Sequence, residues 1–179
     1  MAVALLVVLA VLALGLVALY NRLAQLNVQA DNAWADIEVQ LKRRHDLIPN
    51  LVQTVQGYAS HEKESFHAVI EARNSAFSAR GPAEQQLAAS IGQVLALAEA
   101  YSALRAVVSF TSLQQDLGGI EEALQNARRY YNAVVRDLNT AILQFPSNLV
   151  AGVFGVRSRS FFELSDRAEA AVPRVAFGG

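Results

Sequence analysis

The chain has 179 residues, a formal net charge of −1 and no cysteine. Those counts exclude a disulfide framework, a thiol nucleophile, a zinc–thiolate site and cysteine acylation, and the near-neutral balance gives no global attraction to nucleic acid. The hydrophobic fraction of 53% is high, mainly because of one N-terminal run and many alanines.

Residues 1–19 carry no charged side chain and no side-chain amide. As a helix this run is roughly 28 Å long, about the thickness of a bilayer core. A cleavable signal peptide would instead show a basic start, a shorter apolar core and an A-x-A-like site. No Lys or Arg precedes the run, and Tyr20-Asn21-Arg22-Leu23 follows it. The pattern predicts an uncleaved single-pass anchor over residues 1–20, with Tyr20 as the interfacial aromatic and Arg22 as the first charge past the hydrocarbon. Because Arg22 lies after the anchor and only the α-amino group before it, the positive-inside rule favours a cytoplasmic over a periplasmic soluble domain.

About 160 residues follow the anchor, enough for one domain with a sizeable core. From Leu23 the apolar positions Leu26, Ala30, Ala33, Trp34, Ile37 and Leu41 recur at three and four residues, one helix face continuing from the anchor without Gly or Pro. Leu47, Leu51, Val55, Tyr58, Phe66, Val69, Ile70 and Phe77 follow the same rule. Pro49 separates the two series: with Asp46 as N-cap and Leu47 as first residue, it falls in a first turn, where its missing N–H is harmless.

Arg80-Gly81-Pro82 is a stop followed by a start. The third helix then carries Leu87, Ile91, Val94, Leu97, Tyr101 and Leu104 on one stripe. Its end is placed between Ala106 and Ser109, with Ser109 capping a helix from Phe110; Gly118-Gly119 is the other candidate. The favoured reading makes the Gly pair a weak point in a long fourth helix that ends before Pro146.

Beta patterning is absent, since the β-branched residues fall at helical spacing. The expected fold is all-α: an N-terminal transmembrane helix followed, over residues 21–145, by an antiparallel up-and-down four-helix bundle of comparable segments. Residues 146–164 form an apolar, non-periodic segment, and residues 165–179 an Ala-rich tail expected to have little order.

Three stretches go beyond a generic bundle: Ala33-Trp34 with the run from Val39 through Lys42-Arg43-Arg44-His45-Asp46-Leu47-Ile48-Pro49-Asn50-Leu51-Val52; Ala127-Arg128-Arg129-Tyr130-Tyr131-Asn132; and Phe145-Pro146-Ser147-Asn148-Leu149 with Phe161-Phe162-Glu163. Together they resemble the LemA family of bacterial membrane proteins, over nearly the whole chain. The resemblance implies a single N-terminal transmembrane helix in the bacterial inner membrane and an antiparallel helical bundle. It brings no established catalytic activity, and through one relative it implies a part in membrane organisation. Relatives usually carry an Asn-rich turn where this chain has Val107-Val108.

Glu64, His67 and Glu71 share one helix face, and Glu-x-x-His is half of a di-iron bundle motif. No second copy exists, so the reading is a solvated polar face, with no metal and no cofactor. Lys42, Arg43 and Arg44 point around much of a helix circumference rather than forming a nucleic-acid stripe. The simplest reading is a charged helix end complementing the dipole; a contact to a protein partner and an anionic ligand are the alternatives. Trp34, Tyr101, Tyr130 and Tyr131 read as packing residues with polar tips. There is no Gly-x-Ser-x-Gly turn and no Gly-rich phosphate loop, so an uncharacterised hydrolase or metal enzyme is a remote alternative without residues to carry it.

The expected function is therefore a non-catalytic, membrane-anchored scaffold that associates with itself and with an unidentified envelope protein. Anchored helices lose less translational freedom on association, and the third helix has Ala-rich faces that permit close approach. The alternative is a membrane-organising protein whose C-terminal segment touches lipid. Four antiparallel passes would return the chain to the bilayer near Phe145, where Phe145, Phe154, Phe161 and Phe162 could enter the interface while Arg157 and Arg159 meet lipid phosphates. A cap on the bundle core or a contact between subunits would use the same phenylalanines.

Overall fold

The computed structural model describes residues 1–57, 63–78, 82–101, 104 and 107–162. The expectations for Tyr58, Arg80, Gly81 and the tail 165–179, and for the side chains of Glu64 and Phe77, lie outside what is described. Among the described residues the regular structure is entirely helical: α1 Ala2–Gln56, α2 Lys63–Ser78, α3 Pro82–Ala100, α4 Val108–Leu143 and α5 Ser147–Phe154. The first four are 55, 16, 19 and 36 residues long, not the comparable segments the periodicity predicts.

The largest departure is at Pro49. Instead of separating two helices, Pro49 lies inside α1, so Asp46 caps nothing and Lys42-Arg43-Arg44 is not a helix end. A proline in a helix interior leaves the carbonyl four residues earlier without its donor and crowds it. Here that carbonyl belongs to His45, and the Arg73 side chain of α2 donates Nε–H to it at 3.2 Å. A guanidinium thus replaces the missing backbone N–H, and the helix continues.

The connection after α3 is also displaced. α3 stops at Ala100 and α4 starts at Val108, so Ser109 lies inside α4 rather than capping it. Among the described residues there, Tyr101 N–H donates to Ala98 O at 3.1 Å, Leu104 N–H to Tyr101 O at 2.9 Å, Val107 N–H to Leu104 O at 3.0 Å, and Phe110 N–H to Val107 O at 3.1 Å. Leu104 and Phe110 are fully buried. Gly118 and Gly119 lie within α4.

The chain divides into two compact units, each with its own core. The first joins Met1–Leu41 to Glu121–Phe162. In it, Ala30, Ala33 and Ile37 of α1 pack with Leu124, Tyr131, Val134, Val135 and Leu138 of α4. A smaller cluster of Leu23, Ala141, Val150 and Ala151 seats α5, with Leu19 and Leu26 against it.

The second unit contains Lys42–Ile120. Its core takes Ile48, Leu51 and Val55 from α1, Phe66 and Val69 from α2, Leu87, Ile91 and Val94 from α3, then Leu104, Phe110 and Leu117. Each Leu, Ile, Val or Phe fully withdrawn from water contributes roughly 1.5–3 kcal/mol, which explains why two short helices hold their places.

Candidate membrane interface

Residues 2–19 of α1 form an apolar helical stretch long enough to cross a membrane, and all of it up to Ala18 is exposed. Val3, Leu6, Leu9, Leu12 and Leu16 are each more than half exposed. Leu19 is the first residue drawn into a core, against Leu23 and α5. The apolar run therefore ends where α5 begins to cover α1.

α5 is positioned by short-range chemistry. Ser147 is buried, and its hydroxyl lies 2.6 Å from Ala141 O and 3.0 Å from Gln144 O, tying the start of α5 to the last turn of α4. At its other end Gly155 has φ +68°, the left-handed conformation in which a side chain is strained. The Gly155 and Val156 N–H groups both donate to Ala151 O, closing the helix. Val150 and Ala151 face the protein, whereas Leu149, Val153 and Phe154 are 60%, 82% and 59% exposed. Phe145, just before α5, is 79% exposed. The Phe154 ring meets Tyr20 at 4.5 Å between centroids.

Beyond α5 the chain runs back along the helices as an extended strap. Asn139 receives Arg159 N–H on Oδ1 and donates Nδ2–H to Arg159 O, both at 2.9 Å. Asn132 does the same for Phe162, at 2.7 and 3.1 Å. Asn132 and Asn139 are seven residues apart on α4, about 10 Å along a helix, and three extended residues cover about the same distance. That equality lets two asparagine side chains replace the strand partner the strap lacks. Tyr131 adds a bond from its hydroxyl to Ser160 O at 3.1 Å.

The strap's side chains are partly absorbed by this arrangement. Arg159 donates to Asn27 Oδ1 from Nε at 3.2 Å and from Nη2 at 2.8 Å, and pairs with Asp31 at 2.6 Å. Of the two arginines expected at lipid phosphates, Arg159 is thus held by α1 while Arg157 is exposed, as is Arg22. Phe162 is half-buried beside Trp34, at 6.0 Å between centroids, with the Arg128 guanidinium 4.7 Å over its ring. Trp34 also meets Tyr131 edge-on at 5.2 Å. Phe161 is 47% exposed.

The basic triplet lies in the second unit and is divided by the helix. Lys42 is exposed and pairs with Asp46 at 2.9 Å, one turn on. Arg43 is exposed. Arg44 is buried, 3.8 Å from the Glu84 carboxylate of α3. The three do not converge on one ligand. His67 and Glu71 are exposed, and among the described residues no group of three His, Asp or Glu side chains is placed to hold a metal.

Sequence reasoning missed Asn27, Asp31, Asn132 and Asn139. The only signal is for Asn132 and Asn139, whose heptad spacing falls among the buried positions of α4, and Asn27 and Asp31 carry none.

The LemA family model matches residues 33–177. The chain is also similar to two magnetosome proteins of Paramagnetospirillum magneticum, MamQ 1 and MamQ 2. Each is 22% identical over 175 residues, a span covering 80% of this chain and 64% of the relative. The chain therefore spans somewhat less than two thirds of the length of these relatives. The family match takes in the basic run around Pro49, the asparagines that hold the strap, and α5 itself, and it covers most of the sequence: the chain belongs to the LemA family.

Proposed function

We propose that the protein is a membrane-anchored helical scaffold of the bacterial inner membrane. It acts by self-association and by binding another envelope protein, without catalysis. The observation that supports this reading is the exposed apolar stretch of α1, which continues unbroken into the helix that builds the first core. A rigid link of this kind restricts the orientation of each copy in the bilayer plane and lowers the entropy lost when copies associate. On this reading the helices beyond the anchor form an antiparallel bundle.

Short-reach crosslinking of native membranes with formaldehyde should give species at multiples of the 19.3 kDa chain mass. Monomer alone, at native abundance, would remove self-association from the proposal.

The proposed orientation places the helical units in the cytoplasm, and the absence of cysteine makes it easy to test. Val39 is 47% exposed on α1. A Val39→Cys variant should resist a membrane-impermeant maleimide in intact cells and react after lysis. Labelling in intact cells would place the helices on the outer side.

A second reading, a role in organising the membrane itself, is favoured by the exposed apolar face of α5 beside Tyr20.

A further inference from the structure

We propose that α5 is an interfacial helix whose outer face lies in the headgroup region of the bilayer that residues 2–19 enter, with anionic phospholipid as its ligand. This rests on the reading of residues 2–19 as membrane-embedded.

Placement supports it. α5 packs on Leu23, with Leu19 against the same cluster, which puts it one turn beyond the end of the apolar run. The Tyr20–Phe154 ring contact joins the residue that ends the run to the outer face of α5. An amphipathic helix held at that level presents Leu149, Val153 and Phe154, with Phe145 before them, to whatever surrounds the anchor. Tyr20, a ring with one polar edge, is of the kind that favours this depth.

Rigidity and charge point the same way. Ser147 and Gly155 fix both ends of α5, so the face exists before any lipid is met and its ordering cost has been met by folding. No acidic residue occurs before Asp31 or between Asp137 and Phe162. Asp31 is paired with Arg159. Around α5 the exposed charges contributed by these segments are Arg22 and Arg157, both positive, as an anionic leaflet requires. A water-facing surface helix of eight residues would normally carry polar groups on its outer side, and this one carries three large apolar side chains.

The test uses full-length protein in vesicles of phosphatidylcholine with phosphatidylglycerol. A single cysteine carries an environment-sensitive fluorophore at one of three places, Val153→Cys, Leu12→Cys or Val39→Cys, all exposed in the folded chain. Lipids bearing a quencher near the headgroup should reduce Val153 emission about twofold, with a smaller effect from a quencher deep in the acyl chain. Leu12 should show the reverse order, and Val39 neither. Omitting phosphatidylglycerol should weaken the Val153 quenching; quenching that ignores it would overturn the anionic ligand. Leu12 quenched with Val153 unquenched would overturn the interfacial helix and leave the anchor standing, and a blue-shifted Val153 probe in that case would mean a second copy or another protein covers the face. An unquenched Leu12 would remove the anchor reading and this proposal with it.

Discussion

Deletion of residues 1–19 should transfer the protein from the membrane pellet to the supernatant as a folded helical domain, whereas the full-length chain should stay in the pellet through alkaline and high-salt washes. The Leu and Val side chains of this run favour the bilayer interior by roughly 4–7 kcal/mol in total on an insertion scale, before any other contact. No wash that acts on charge opposes that preference. The core cost of deletion is small, because the first fully buried residue of α1 is Leu23. If α5 contacts lipid, the truncated protein should show weak residual binding that salt removes, since a short amphipathic face with two arginines depends on screened attraction. Full-length protein released by the washes would refute the anchor, and an unfolded truncated chain would show that the packing extends further into it.

Replacing Arg73 with Met should destabilise the second unit by about 1–3 kcal/mol, the cost of leaving a part-buried carbonyl without its donor. The same change in a Pro49→Ala background should cost much less, because the alanine N–H can then reach His45 O directly. The two substitutions should therefore couple by on the order of 1 kcal/mol or more in denaturation of the detergent-solubilised chain followed by helical circular dichroism. Additive effects would show that Arg73 acts at His45 by packing alone.

A second readout comes from the imidazole. Burial, and after it the Arg73 charge, hold the His45 pKa below its usual value, with Lys42 acting in the same direction and Asp46 against them. The folded state thus keeps His45 neutral at pH values where the unfolded chain already binds a proton. This contribution to stability is present above about pH 6.5 and is lost as pH falls through the folded pKa. Arg73→Met should raise the His45 pKa, measured by nuclear magnetic resonance titration, and make the loss with falling pH shallower.

Much of the architecture was legible because it depends on period and composition. The apolar run is visible without a fold, since a bilayer selects for length and lack of charge. Stripes at three- and four-residue spacing predicted Ile37, Leu51, Val69, Leu87 and Val94 as core, and all five are fully or almost fully buried. The family resemblance, drawn from contiguous motifs, agrees with the family match. Helix ends were less legible. Pro49 reads as a boundary in any local analysis, and what overrides it is a side chain 28 residues away in sequence.

By itself the sequence determined the helical class, the apolar N-terminal run and most of the buried stripes, with Ile70 an exposed exception, because each is a property of neighbours along the chain. Tertiary structure decided the continuity of α1 through Pro49, the division of Lys42-Arg43-Arg44 into two exposed charges and one buried partner of Glu84, and the seating of the strap on Asn132 and Asn139. It also separated Arg157 from Arg159, turning one outward and binding the other to Asn27 and Asp31. Those outcomes depend on which donor meets which acceptor after folding, and an unsatisfied carbonyl, a buried guanidinium or a strap without a strand partner can be matched only once distant segments are brought together.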